Sequence, residues 1–327
     1  MSSSSIPRCK MLMAAALAMS LLTIAHADPV PGVVRIGALT PLAMTSFEEG
    51  LRQGLAEFGY VEGRNMVLER RRAESSEGLR SAADDLVRSN VNLIVALTTP
   101  GAHAAMSATP TIPVVFISGD PVGTGLVESL AHPGGNATGV STLSTELMAK
   151  RLELLKQVAP HIRRVILLGN PGSQLQAGVL KEARNAGEAL QIQVVAVNAR
   201  NVAELDAALR GLQYRASDAF MVTSDVLFLG NRAKVAAAVA KARLPGIFPW
   251  RDYHDAGVLM SYGSSTREMG RQAAAYVDRI LKGTKPADLP IEQSSKYELV
   301  IDLRVAHAMG LKVPQSLLAR ADEVIRQ

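Results

Sequence analysis

The chain has 327 residues, 48% of them hydrophobic and 20% charged, with 35 Lys and Arg against 30 Asp and Glu. That length holds one large domain or two modest ones, and a formal charge of +5 is too small for a nucleic-acid footprint. One cysteine and 4% aromatics leave no material for a disulfide framework, a thiolate metal site or a wide stacking platform for sugars or bases.

In chain order, the first element reads as a cleavable export signal over residues 1–27. Arg8 and Lys10 form its positive region, Met11–Ile24 its apolar stretch and Ala25-His26-Ala27 its A-x-A cleavage site. The apolar stretch is short for a membrane span, which disfavours an uncleaved anchor. Cys9 precedes that stretch, whereas a lipid-modified cysteine would follow it. Cleavage would leave 300 residues with a formal charge of +3 and no cysteine, because Arg8, Cys9 and Lys10 leave together. The expected location is therefore outside the cytoplasm, where a nucleotide-dependent enzyme has no substrate pool.

The remaining chain alternates short apolar runs with longer periodic ones, the rhythm of parallel βα units. Val33–Leu39 reads as a strand ending at Thr40-Pro41. Ser46-Phe47-Glu48-Glu49 reads as a capping box, and Phe47, Leu51, Leu55 and Phe58 follow at helical spacing up to Gly59. Met66–Arg70 is a weaker strand, followed by a helix through Leu79, Ala82, Ala83, Leu86 and Val87. Val91–Leu97 and Val114–Ser118 are buried strands. The rhythm then restarts: strand Val165–Leu168, helix about 174–190, strand Val194–Val197, a cap at Asn201-Val202-Ala203-Glu204, strand Ala219–Val222 and a helix over 231–243. Late elements follow at Gly246–Pro249, Val258–Tyr262, Arg267–Lys282 and Leu299–Leu303. Two successive sets of this kind predict two similar lobes, with the late elements shared between them.

In such sheets ligands bind at the carboxyl ends of strands, close to helix N-termini. The polar residues in those positions are Thr40, Thr45 and Ser46; Thr98 and Thr99; Ser118 and Asp120; Asn170 and Ser173; Ser224 and Asp225; and Tyr262, Ser264 and Ser265. Each also has a purely structural reading. Thr98-Thr99 can cap a helix, Asp120-Pro121 can form a turn, Asp225 can cap the helix after it, and Tyr262 can pack at a hinge. The run Arg70-Arg71-Arg72 reads as a solvated strand end rather than a phosphate clamp. There is no G-x-G-x-x-G after the first strand, no phosphate-binding loop, no G-x-S-x-G elbow and no H-E-x-x-H, and the six histidines are scattered. No cofactor, metal or catalytic residue is expected.

Several segments together resemble the ABC-transporter substrate-binding protein family that includes the tryptophan-binding, TrpX-like proteins. They include Gly54-Leu55-Ala56-Glu57-Phe58-Gly59-Tyr60-Val61-Glu62-Gly63-Arg64-Asn65, Asp120-Pro121-Val122-Gly123, Pro133-Gly134-Gly135-Asn136-Ala137-Thr138-Gly139, Leu152-Glu153-Leu154-Leu155-Lys156, Gly257-Val258-Leu259-Met260-Ser261-Tyr262-Gly263 and Tyr276-Val277-Asp278-Arg279-Ile280-Leu281-Lys282-Gly283. Their order and spacing cover nearly the whole chain after the signal. The resemblance implies an α/β periplasmic binding protein of type I: two Rossmann-like lobes, a multi-strand hinge and a ligand cleft between the lobes. The expected lobes are 28–140 with about 262–290, and 141–261 with about 291–327. It also implies a monomer that delivers a small solute to an ABC permease in the inner membrane, with no catalysis. The tryptophan branch tends to carry Thr-Asp-Asn-Thr where this chain has Thr223-Ser224-Asp225-Val226, which puts tryptophan itself in doubt. The expected ligand is an amino acid or related small acid, its carboxylate at Thr98-Thr99 and the first loop, its amine at Asp120 or Asp225, with Tyr262 as a wall. An exported hydrolase or isomerase using Asp120 and Asp225, and a ligand-sensing subunit, are the alternatives.

Overall fold

The computed structural model describes residues 32–42 and 44–326, so the export signal expected over 1–27 lies outside the described residues. The apolar runs become strands and the periodic runs become helices, in the order β1 (Val34–Thr40), α1 (Thr45–Glu57), β2 (Met66–Arg72), α2 (Ser76–Arg88), β3 (Leu93–Leu97), α3 (Thr99–Ala108), β4 (Val114–Ser118) and β5 (Ala137–Ser141). The chain continues through α4 (Leu147–Val158), β6 (Arg164–Gly169), α5 (Gln176–Ala189), β7 (Gln193–Asn198), α6 (Val202–Arg210), β8 (Asp218–Val222), α7 (Val226–Gly230), α8 (Arg232–Lys241), β9 (Gly246–Phe248) and β10 (Met260–Ser264). It ends with α9 (Thr266–Leu281), β11 (Glu292–Gln293), β12 (Tyr297–Asp302), α10 (Leu303–Ala308), α11 (Gln315–Leu318) and β13 (Glu323–Ile325).

These strands form two sheets, one per lobe. The first has the order β11-β5-β4-β3-β1-β2 and is parallel throughout. The second has the order β13-β12-β10-β9-β8-β6-β7 and is parallel except where β12 runs against β10. Helices on both faces bury the central strands completely, which is why β3 and β4 read as unbroken apolar runs rather than alternating ones. The chain crosses between sheets after β5, after β10 and after β11. All three crossings lie beside residues with hydroxyl side chains. Ser294 N–H donates to the Ser141 carbonyl at 2.7 Å and Ser265 N–H to the Lys296 carbonyl at 3.0 Å.

Helix α9 returns from the second sheet to lie against α1, and small residues let the two backbones touch. A Cβ on Gly50 would collide with the Arg267 carbonyl, one on Gly54 would sit 2.7 Å from the Ala274 methyl, and one on Gly270 would collide with the Phe47 carbonyl. Arg267–Glu49 at 2.5 Å and Arg271–Glu57 at 2.9 Å flank this seam. As exposed pairs they contribute little beside the packing.

Two local expectations change. Ser46 does not cap α1: the helix begins at Thr45 after Met44, with no side-chain cap. Ser46 is already the second residue of the helix, and the acid of the box, Glu49, pairs with Arg267 at 2.5 Å. Glu48 pairs with Arg70 at 3.3 Å and Arg72 at 2.6 Å. The same pairs, with Arg70–Glu62 at 2.7 Å, make the arginine run a neutralised strand end. The sequence pattern also assigns no element to β5 or α4. Strand β5 is Ala-Thr-Gly-Val-Ser, too short and too poor in apolar side chains to show a period, and α4 starts after Glu146 without a capping side chain.

Candidate functional site

A cavity of about 910 Å³ lies between the two sheets. Its wall on the first lobe comes from the β1–α1 loop and the first turns of α2 and α3. Its wall on the second lobe comes from the segments leading into α5, α6 and α7. Each segment follows a strand of a parallel sheet, so the helix starts point into the cleft with their N–H groups. The walls also touch. Leu42 Cδ2 comes within 3.8 Å of where a Cβ on Gly230 would stand, and Leu175 packs directly on Gly119.

On the first lobe, Thr98 caps α3 with φ +75°, a left-handed value that a β-branched residue adopts only at a cost of about 1–3 kcal/mol. Its hydroxyl oxygen accepts from Gly101 N–H at 3.4 Å, and Thr99 Oγ1 shares a hydrogen bond with Ser118 Oγ at 2.8 Å. His103 lines the cavity one turn further along α3, and its Nε2 is buried without a hydrogen-bond partner among the described residues.

On the second lobe, Asp225 caps α7. Its Oδ1 accepts from Leu227 N–H at 2.9 Å and its Oδ2 from the Asn170 side-chain amide at 3.0 Å. Burial pushes the carboxyl above the ordinary carboxylate range, and these two hydrogen bonds offset part of that rise. The group has no cationic partner among the salt bridges of the described residues, so it can accept one more positive charge. Behind it, the fully buried Tyr253 hydroxyl also lacks a hydrogen-bond partner, and burial together with the Asp225 charge raises its pKa well above 10.0.

Of the eight sequence-predicted ligand residues, the cavity lining holds Thr98, Thr99, Asn170 and Asp225. Thr40 is buried at the end of β1 and Thr45 is exposed at the start of α1; between them, among the described residues, Pro41 and Leu42 line the cavity. Asp120 sits in a turn, its Oδ1 accepting from Gly123 N–H at 2.8 Å and its carbonyl from Thr124 N–H at 3.1 Å. With Asp120 off the lining, no Asp120–Asp225 acid–base pair is assembled there. Tyr262 stacks on Tyr297 with ring centroids 6.2 Å apart, and its carbonyl accepts from Arg151 Nε at 2.8 Å. Arg151 is 1% exposed, makes no salt bridge among the described residues and has its pKa lowered to about 10 by burial.

The lining also contains Glu74, Ser75, Arg80, Arg200 and Asn201, which the sequence reading does not select. The signal exists, because these residues follow β2 and β7. They escape notice because both strands lie at sheet edges and read as weak or partly polar. Among the described residues no cluster of three His, Cys, Asp or Glu side chains could hold a metal ion, and no helix is long and apolar enough to cross a membrane.

Comparison with known proteins agrees with this architecture. A tyrosine-binding protein of Clostridioides difficile is 26% identical over 270 residues, spanning 81% of this chain and 76% of the relative. A conserved domain protein of Vibrio cholerae superposes with a TM-score of 0.83 at 28% identity, covering 89% of this chain and 99% of that one. An ABC domain from Streptococcus pneumoniae in complex with L-Trp also superposes with a TM-score of 0.83, at 25% identity, covering 90% of this chain and 100% of that one. The two-lobed fold is that of type I periplasmic binding proteins. The family model for ABC transporter substrate binding proteins matches residues 38–325, and the chain belongs to that family, whose members bind solutes and are not enzymes.

Proposed function

We propose that the chain captures a free amino acid in the inter-lobe cavity and carries it, in the periplasm, to an ABC permease of the inner membrane. The observation that carries this reading is Asp225. It is a carboxylate held by Asn170 and by the start of α7, facing a cavity shared by both lobes, with no salt-bridge partner among the described residues. An α-ammonium group supplies that partner. The first lobe offers Thr98, Thr99 and the N–H groups at the start of α3, a neutral, partly positive surface suited to the α-carboxylate. A relative named for tyrosine binding and a similar structure in complex with L-Trp support an amino acid as the ligand class. Closure of the lobes around one ligand then produces the form a permease reads, and one chain is enough to build the site.

The test is titration calorimetry and thermal shift across the L-amino acids, the corresponding amines and the corresponding carboxylic acids. An amino acid should stabilise the protein by mass action, and loss of either its amine or its carboxylate should weaken binding. Stabilisation by none of them, with no compaction in solution scattering, would sink the reading. Because Asp225 must be ionised to hold an amine, affinity should fall with acidification, starting above the ordinary carboxylate range.

A further inference from the structure

Glu74 and Arg200 occupy equivalent places on the two lobes. Glu74 lies in the loop from β2 to α2 and Arg200 in the loop from β7 to α6, and both line the one inter-lobe cavity. They carry opposite charges and are exposed. Glu74 makes no salt bridge among the described residues. Arg200 has only a long contact to Glu204, Nη1 to Oε1 at 3.5 Å, within its own lobe. Glu204 is already engaged, because its Oε2 accepts from Arg200 N–H at 2.9 Å at the start of α6. The guanidinium therefore retains donors for a second carboxylate, and the carboxylate that shares its cavity from the other lobe is Glu74.

We propose that Glu74 and Arg200 form a positioning pair across the mouth of the cleft, meeting when the lobes close and setting the balance between open and closed forms without touching the ligand. The inference rests on the cleft-closure reading above but not on the identity of the ligand. An exposed pair of this kind shifts a two-state balance by about two- to five-fold. Its effect is reduced by salt, unlike the buried contacts around Asp225.

Inter-lobe distances measured by electron spin resonance test the proposal without a ligand. One label is placed at Gln53→Cys on α1 and one at Arg184→Cys on α5, both exposed, in a Cys9→Ser background. The unliganded protein is compared with Glu74→Lys, with Arg200→Glu and with the double reversal. Each single reversal should deplete the short-distance population about two- to five-fold, the double should restore it, and 0.5 M salt should erase the differences. Equal distributions in all four proteins, or a double variant more open than either single, would overturn the pair. Repeating the measurement with each of the L-amino acids separates the two readings. A protein that responds to the reversals but to no amino acid keeps the pair and loses the proposed ligand class.

Discussion

The two walls of the cleft are built from the same local plan and reach opposite electrostatic results. On the first lobe, Thr99 and Ser118 satisfy each other and Thr98 caps α3, so the turn from β3 into α3 is neutral and internally paired. On the second, Asp225 keeps a charge that only an amide and a backbone N–H oppose, and Tyr253 lies behind it with an unpaired hydroxyl. Strand–turn–helix geometry therefore decides where a ligand is held, while the identity of a single capping residue decides which charge it must bring. Thr98 and Asp225 both cap helices, but only the aspartate leaves a net charge in the cleft.

The sharpest way to break this contrast is Asp225→Asn, which preserves shape and removes charge. Losing one partner of a desolvated charge pair costs about 2–5 kcal/mol, so ligand affinity should fall by roughly 30-fold or more by calorimetry. An unchanged affinity would mean that the charged wall is not the amine site.

A second difference concerns pH. His254 in the second lobe is buried, bonds Ser261 Oγ at 3.0 Å and has its pKa lowered from 6.5 to about 4 by burial. A depressed histidine favours its neutral form in the folded state, so its contribution is present above pH 6.5 and is lost as pH falls towards 4. Full protonation should remove about 3 kcal/mol of stability, and His254→Gln should flatten chemical denaturation midpoints measured between pH 7 and pH 4. If the variant keeps the wild-type slope, the acid sensitivity belongs elsewhere.

The first lobe should respond more weakly. Thr99→Val leaves the Ser118 hydroxyl unpaired in a buried place and should cost about 1–3 kcal/mol in unfolding free energy. Thr98→Gly should have the opposite sign. It removes a long cap contact, worth a few tenths of a kcal/mol when glycine replaces threonine, and releases the strained φ, so the melting temperature should rise by a few degrees at most. If Thr98→Gly also weakens ligand binding, the strained residue serves the site rather than the fold.

The order of strands and helices was legible because β3, β4, β6 and β8 are short apolar runs and the helices between them keep one apolar face. Where that contrast fails, legibility fails with it. The first-lobe strand Ala137–Ser141 has too few large side chains to announce itself, and the Ser46 box matched a cap that fails because the helix starts one residue earlier and Glu49 turns to Arg267 on α9. For the cavity, placing polar residues after strands picked out four residues that line it, Thr98, Thr99, Asn170 and Asp225, because that rule depends only on chain order. It could not tell that Asp120 turns back on Gly123 or that Tyr262 stacks on Tyr297, since both depend on neighbours placed by folding.

The sequence by itself determined the two βα sets, the family and the candidate helix starts, all of which follow from local periodicity and motif order. Tertiary structure decided what no local pattern encodes. It decided that the chain crosses between sheets three times, that α9 returns to α1 over glycines, and that Glu74 and Arg200 share one cavity. Those are contacts between residues far apart in the chain. They exist only once two sheets have buried their faces and set the loops of one lobe opposite those of the other.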